Sequence, residues 1–349
     1  MGVDRIAMKI TFRADGDEKK GMGHLMRCSA IAAEFIRQRD SVCFYSEYES
    51  NGLGWLREKG FTAVELKQHG SVSEEAIELS TYLGKENTDV VFVDSYWLTD
   101  EYFVILKRSG VIVVAIDDSS SNYRYQCDVI VNDNFDAADK DYSFSSVRLK
   151  LLGDKYNILR QEFLETSPAP FHEKVENLLI TMGGADVRNF SPVAIEALSE
   201  FKDITIKVIY GPLMGNMAEI KRATKLCRSK VEIIKNPISM ANVMSQCDIA
   251  ISAGGGTVKE LFAMGVVPLF VLQSDNQFPL KQILDRHNLS VVLGSYTDVD
   301  CFILREAVKN LIETPVERKR IRQKILQLVC REGVTNIVNR VKTFAKHKN

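Results

Sequence analysis

The sequence predicts an α/β protein built from two doubly wound domains in tandem, on three observations. Short apolar runs alternate with segments of helical period along most of the 349 residues. The runs are continuous Val/Ile/Phe stretches rather than strict alternations, which fits parallel strands buried on both faces. The rhythm breaks at LETSPAPFHEK, where two prolines fall within three residues, and then restarts. A polar, Pro-containing stretch of that kind stops both helix and strand and marks a linker. The length exceeds one typical core and suits two.

The first domain is expected over residues 1–165. IAMKITF reads as a strand, and HLMRCSAIAAEFIRQ carries apolar residues at helical spacing. SVCFYSE, FTAVEL, DVVFVD, VIVVAID and CDVIVND follow as short strands, with SEEAIELSTYL and DEYFVILKRSG as helices between them. The second domain is expected over 174–349. There NLLITMGG precedes a helix at NFSPVAIEALSEF, and ITIKVIYG one at NMAEIKRATKL. VEIIKN leads to SMANVMSQ, DIAISAGGG to TVKELFAMG, VPLFVL to QFPLKQILDRH, and SVVLGS closes the set. Residues 298–347 read as consecutive amphipathic helices. Ligands of such sheets bind at the carboxyl ends of the strands, so a site is expected where the two domains face each other across a cleft.

Composition narrows the function. The net charge of −1 gives no reason to expect nucleic acid or an anionic membrane surface as partner. Seven dispersed cysteines without a C-x-x-C or a Cys/His cluster read as reduced thiols and leave no zinc site. No apolar run reaches ~18 residues, and no signal-peptide pattern opens the chain. A cytoplasmic protein is the expectation. Met8 offers an internal start, which would make the first seven residues an extension.

Four stretches carry candidate chemistry. In ITMGGADVRN a strand delivers Gly183 and Gly184 to a turn before a helix. That is either a tight turn or an anion cradle, since glycines let backbone N–H groups approach closely. In DIAISAGGGTVKELFAMG, Gly254, Gly255 and Gly256 follow a buried strand and open a helix at Thr257. A helix N-terminus carries about half a positive charge. The spacing is not that of a Walker A loop. Glu260, in the first turn of that helix, is placed to accept from two ribose hydroxyls or merely to complement the dipole. Asn276 and Gln277, between a strand and a helix, offer amides suited to sugar hydroxyls, or an N-cap.

The fourth stretch is GMGHLMR. G-x-G-x-x-G would need glycine where Met26 stands, so the dinucleotide fingerprint fails. His24 falls in the first turn of a helix, where the dipole disfavours imidazolium. Imidazole has an unperturbed pKa of ~6.5 and is a competent general base. His24 is thus either such a base or a polar residue bound to its own backbone. Asp15, Asp94 and Asp117 end strands of the same domain. Asp15 or Asp94 is placed to orient His24 or hold a sugar hydroxyl, unless it only caps a helix. The pair Asp15-Gly16-Asp17 could hold a cation, but no metal or cofactor is expected.

Together FRADGDEKKGMGHLMRCSAIA, VVFVDSY, AIDDSSSNYRYQCDVIVND, LLGDKYNILRQEF, ITMGGADVRN and ISAGGGTVKELFAMGVVPLFVLQSDNQ resemble one family. It is the UDP-sugar hydrolases of pseudaminic acid biosynthesis (PseG), with their spore-coat polysaccharide relatives (SpsG). The R-A-D…G-x-G-H-x-x-R block is the specific part. The glycine-rich block is shared with GT-B glycosyltransferases, including the peptidoglycan GlcNAc transferase. The resemblance implies a GT-B fold with UDP held mainly by the second domain. It implies hydrolysis of UDP-2,4-diacetamido-2,4,6-trideoxy-β-L-altropyranose to UDP and free sugar, with His24 as the base. It puts Asn276 and Gln277 toward the sugar and Glu260 toward the ribose; Gly23, Asp15, Asp94 and Tyr96 are further candidates for the sugar, and Gly183, Gly184 and Gly254–Thr257 for UDP.

UDP is a good leaving group, since its freed terminal phosphate has a second pKa of ~6. A metal-independent, inverting attack by water is therefore expected. Charge growing on the diphosphate would be met by the glycine-loop amides and by two helix N-termini. Transfer of the sugar to an acceptor is the alternative activity, and non-catalytic sensing of a nucleotide sugar a third. No feature sets the oligomeric state, and a monomer suffices.

Overall fold

A computed structural model describes residues 7–16, 22–47, 52–95, 99–117, 125–143, 146–211 and 214–348. The chain divides into two compact units, residues 1–161 with 330–349, and residues 162–329.

The first unit contains β1 (Lys9–Ala14), α1 (Gly23–Arg37), β2 (Ser41–Ser46), α2 (Gly52–Glu58), β3 (Thr62–Glu65), α3 (Val72–Lys85), β4 (Val90–Asp94), α4 (Asp100–Lys107), β5 (Ile112–Ile116), β6 (Val129–Asn132) and β7 (Leu149–Leu152). The seven strands are all parallel, in the order β3-β2-β1-β4-β5-β6-β7. The order reverses between β1 and β4, which is where such sheets bind ligands. β7 has no counterpart among the expected strands; its four residues LKLL are too few to show a period.

The central strands are buried on both faces, as their Val/Ile/Phe content requires. On one face Phe12 stacks between Phe44 and Phe92, at centroid distances of 5.0 and 4.9 Å. Offset aromatic contacts of this kind add roughly 0.5–1.5 kcal/mol beyond area burial. α1 lies over this cluster through Leu25, Cys28, Ile31 and Phe35.

The second unit opens within α5 (Gln161–Glu165). It continues with β8 (Asn177–Thr181), α6 (Phe190–Ala197), β9 (Thr205–Tyr210), α7 (Met217–Leu226), β10 (Lys230–Lys235), α8 (Met240–Met244), β11 (Ile249–Ser252), α9 (Thr257–Met264), β12 (Val267–Leu272), α10 (Pro279–Arg286), β13 (Val292–Ser295), α11 (Cys301–Glu313) and α12 (Pro315–Gln327). Its six parallel strands run β10-β9-β8-β11-β12-β13, so the reversal falls between β8 and β11.

One expectation differs. The sequence places the whole helical tail, to residue 349, in the second domain. α11 and α12 do pack there, but α13 (Gly333–Lys348) returns to the first unit. Its Val334, Ile337, Val338, Val341 and Ala345, at helical spacing, bury in the cluster that holds Phe12. The Lys342 ammonium donates to Asp40 Oδ2, both side chains being buried. The apolar stripe of α13 is legible in sequence, but which sheet it covers is a long-range fact that periodicity does not carry.

Candidate active site

In the first unit the functional groups gather at the β1/β4 reversal. Parallel register sets Ala14, the last residue of β1, beside Asp94, the last of β4. The chain leaving β1 enters α1, whose second residue is His24. The His24 side chain is 9% exposed and that of Asp94 fully buried. His24 Nδ1 lies 2.6 Å from Asp94 Oδ1. Arg27, one turn further along α1, donates from Nε to Asp94 Oδ2 at 2.5 Å and from Nη2 to Oδ1 at 2.5 Å.

This surrounding fixes the protonation of Asp94. Burial opposes ionisation, but the Arg27 charge and hydrogen bonds, joined by the His24 bond, outweigh it and hold the carboxyl well below the usual carboxylate range. An ionised carboxylate only accepts, so Nδ1 carries the proton and donates. The lone pair then resides on Nε2, the arrangement a general base needs. Cys28 completes the group, its Sγ donating to Asp94 Oδ2 at 3.5 Å. Burial, with the Asp94 charge adding to it, pushes this thiol well above its ordinary value.

Of the two aspartates considered as orienters, the structure brings Asp94 to the ring. Asp15 accepts from Arg13 Nη1 at 2.6 Å and from the Glu47 amide at 2.9 Å. Arg13 in turn forks onto Glu75, which also accepts from the Tyr102 hydroxyl. Asp117 is held by the hydroxyls of Tyr125 and Tyr142 at 2.8 and 2.6 Å, a locking role for a strand end. Gly23 opens α1. Tyr96 and Asp17 lie outside the described residues. Arg27 ends the G-x-G-H-x-x-R block, which by itself assigns it no role; the signal for one is its i+3 spacing from His24, which puts both on one helix face.

In the second unit both glycine motifs lie at the β8/β11 reversal. Register pairs Thr181 with Ser252, so the turns that follow leave the sheet side by side. Gly183 has φ +78°, a conformation that suits glycine. Gly211, just past β9, packs so closely that a Cβ there would meet the Gly184 carbonyl oxygen at 2.5 Å. Gly255 and Gly256 lead into α9, whose first turn carries Thr257 and Glu260.

Two expectations change here. The α6 N-terminus was expected to face the diphosphate, but its amides are already engaged. Asp186 Oδ1 accepts from Phe190 N at 2.8 Å and Oδ2 from Ser191 N at 3.0 Å. That carboxylate occupies the place an anion would take, so α9 is left as the helix end of the pair. Gln277 was expected to face a sugar. Its Oε1 instead accepts from Gly254 N at 3.2 Å and Gln273 N at 2.9 Å, fastening the triple-glycine turn to the end of β12. Asn276 shares with it a single 3-10 turn between β12 and α10. Arg188, also unanticipated, is exposed in the turn before α6. It donates from Nε to the Gln273 carbonyl at 3.2 Å, and its guanidinium lies 4.6 Å from the Tyr296 ring centroid.

No family model matches the chain. It is similar to an uncharacterized protein of Methanocaldococcus jannaschii, 24% identical over 309 residues, covering 84% of this chain and only 62% of that protein's length. It is similar to the spore coat polysaccharide biosynthesis protein SpsG of Bacillus subtilis, 24% identical over 279 residues, 77% of this chain and 79% of that one. A third relative is the UDP-2,4-diacetamido-2,4,6-trideoxy-beta-L-altropyranose hydrolase of Campylobacter jejuni, 25% identical over 257 residues, 72% of this chain and 87% of that one. The resemblance carried by the motifs is thus borne out by relatives of those names. Among solved structures the chain resembles MurG of Acinetobacter baumannii, with a TM-score of 0.73 and 14% identity over 96% of this chain and 99% of that one. The fold is GT-B, as expected. Among the described residues no helix is long and apolar enough to cross a membrane.

Proposed function

We propose that this chain hydrolyses a UDP-activated 2,4-diacetamido-2,4,6-trideoxy sugar to UDP and the free sugar, the activity named for its Campylobacter relative, on a route to pseudaminic acid. The observation that carries the reading is the 2.6 Å hydrogen bond from His24 Nδ1 to Asp94, which leaves Nε2 as the basic nitrogen at the carboxyl edge of the first sheet.

In this reading the first unit supplies the base and the second the UDP-binding groups. Water hydrogen-bonded to His24 Nε2 attacks the anomeric carbon. The bond from that carbon to the diphosphate oxygen breaks, its electron pair leaving on UDP, while the water proton passes to Nε2. Attack opposite the leaving group inverts the anomeric centre. Asp94 stabilises the imidazolium that forms. Amides of Gly255 and Gly256, the α9 N-terminus and the exposed Arg188 guanidinium are the groups suited to the diphosphate charge. Glu260 is suited to the ribose hydroxyls, and Asp15, Gly23, Tyr96 and Asn276 to the sugar.

The deciding experiment measures UDP release from the nucleotide sugar without acceptor. Steady release by the wild type, with His24→Asn binding UDP but turning over at least ~10²-fold more slowly, supports the reading. Near-normal turnover in His24→Asn removes the base assignment. Because solved glycosyltransferases share this fold, such as CalG4 at a TM-score of 0.61, transfer to an acceptor is the second reading. UDP release that requires an acceptor would establish it.

A further inference from the structure

His24 and Arg27 reach Asp94 from the same face of α1, and the guanidinium does more than neutralise the carboxylate. Its Nη2 also lies 2.9 Å from His24 Nδ1. An Nδ1–H aimed at Asp94 has no lone pair to offer, so this approach sets a cation against an N–H donor and is not a hydrogen bond. Two opposed influences therefore act on one ring. A bare buried carboxylate at 2.6 Å would favour imidazolium strongly, and an imidazolium cannot take a proton from water. The Arg27 charge opposes that attraction while its fork holds the carboxylate plane against Nδ1.

We infer that Arg27 is a positioning residue, which locks His24 in its Nδ1–H tautomer and prevents Asp94 from trapping the ring as imidazolium before reaction. The inference rests on the reading of His24 as base. Other groups on neighbouring elements are already engaged. From α1 itself comes Cys28, a neutral thiol donor to Asp94. Beyond β1, Asp15 is joined to Arg13 and the Glu47 amide. From α13, Lys342 is joined to Asp40, after the other end of α1.

The test uses the full ¹⁵N-labelled chain and its Arg27→Met and Arg27→Lys variants, with the His24 signals assigned by their loss in His24→Gln. The wild-type ring should be protonated on Nδ1 when neutral. Arg27→Met should raise the imidazole titration midpoint by about one pH unit or more, and the acid limb of kcat/KM for UDP release should move up equally. Arg27→Lys, a point charge without the fork, should recover most but not all of the shift. An Nε2–H tautomer in the wild type overturns the inference. So does a midpoint unmoved in the variants, with turnover falling equally at every pH. Weaker UDP binding with an unmoved titration would make Arg27 a ligand contact and overturn it too. If Arg27→Met does not fold, Arg27→Lys and the wild-type tautomer decide the matter. The titration needs no substrate. A wild type that releases no UDP ends the hydrolase reading while the ring still reports on Arg27.

Discussion

The Asp94 carboxylate accepts a 2.6 Å hydrogen bond from His24 Nδ1, and the two residues meet because β1 and β4 are neighbours in the sheet although 70 positions separate them in the chain. Asp94→Asn tests what the bond does. An amide can present its NH₂ to the ring, favouring the tautomer with the proton on Nε2. Turnover should then fall on the order of 10³-fold or more, while UDP affinity, supplied by the second unit in our reading, changes little. Retained turnover in Asp94→Asn would mean that Asp94 does not set the tautomer.

Asp94 also ties stability to pH. Its carboxyl ionises in the folded chain well below the ~3.9 of unfolded aspartate. As acid is added the unfolded state binds this proton first. The stabilisation is therefore fully present above the unfolded value and is lost as pH falls toward and through the folded one. The difference in denaturant midpoint between wild type and Asp94→Asn should shrink as pH falls below about 4. A difference unchanged down to pH 3 would contradict this.

Cys28 should be chemically silent. It is fully buried, and both burial and the Asp94 charge disfavour its thiolate, which is the reactive form. Alkylation of the native chain at pH 8, followed by peptide mass analysis, should label half-buried Cys330 well before Cys28. Comparable labelling of the two would show that the interior of α1 opens far more readily than its packing implies.

Strand and helix positions were legible because buried parallel strands and amphipathic helices leave their period in the sequence, as VVFVD and the α13 stripe show. The placement of His24 was legible for the same reason, since a strand, a turn and a helix follow in order. Which aspartate meets His24 was not, because that depends on strand order. Nor was the engagement of the α6 amides by Asp186, whose φ of +45° folds its carboxylate back onto residues 190 and 191. Gln277 looked like a sugar contact because side-chain amides bind hydroxyls and backbone equally well, and only the fold brings Gly254 N to its oxygen.

The buried Lys342–Asp40 pair anchors α13 to the first unit, with Met8 N donating to the other oxygen of Asp40 at 3.0 Å. Removing one partner of a buried pair strands the other charge, at a cost of about 3–5 kcal/mol. Lys342→Met should therefore lower the denaturation midpoint sharply, and Lys342→Met with Asp40→Asn should recover part of the loss. If the double variant is no more stable than the single one, the cost lies in packing rather than in the stranded carboxylate.

The glycine turns of the second unit are braced by neighbouring groups, and in our reading this makes UDP affinity separable from catalysis. Gln277 Oε1 holds the amides of Gly254 and Gln273 together, and each such bond contributes about 0.5–1.5 kcal/mol. Gln277→Ala frees the turn, so part of its ordering would be charged to binding, and UDP affinity should fall roughly 10-fold, equivalent to about 1.4 kcal/mol. Gly211→Ala acts on the other turn. Its methyl would sit 2.5 Å from the Gly184 oxygen and 2.9 Å from its Cα, and only backbone movement relieves that contact. Titration calorimetry with UDP reads both variants, and the His24 imidazole titration serves as the control that should not move. Unchanged UDP affinity in both would mean that these turns do not hold the diphosphate. A moved imidazole titration would mean that the two substitutions act on more than the nucleotide.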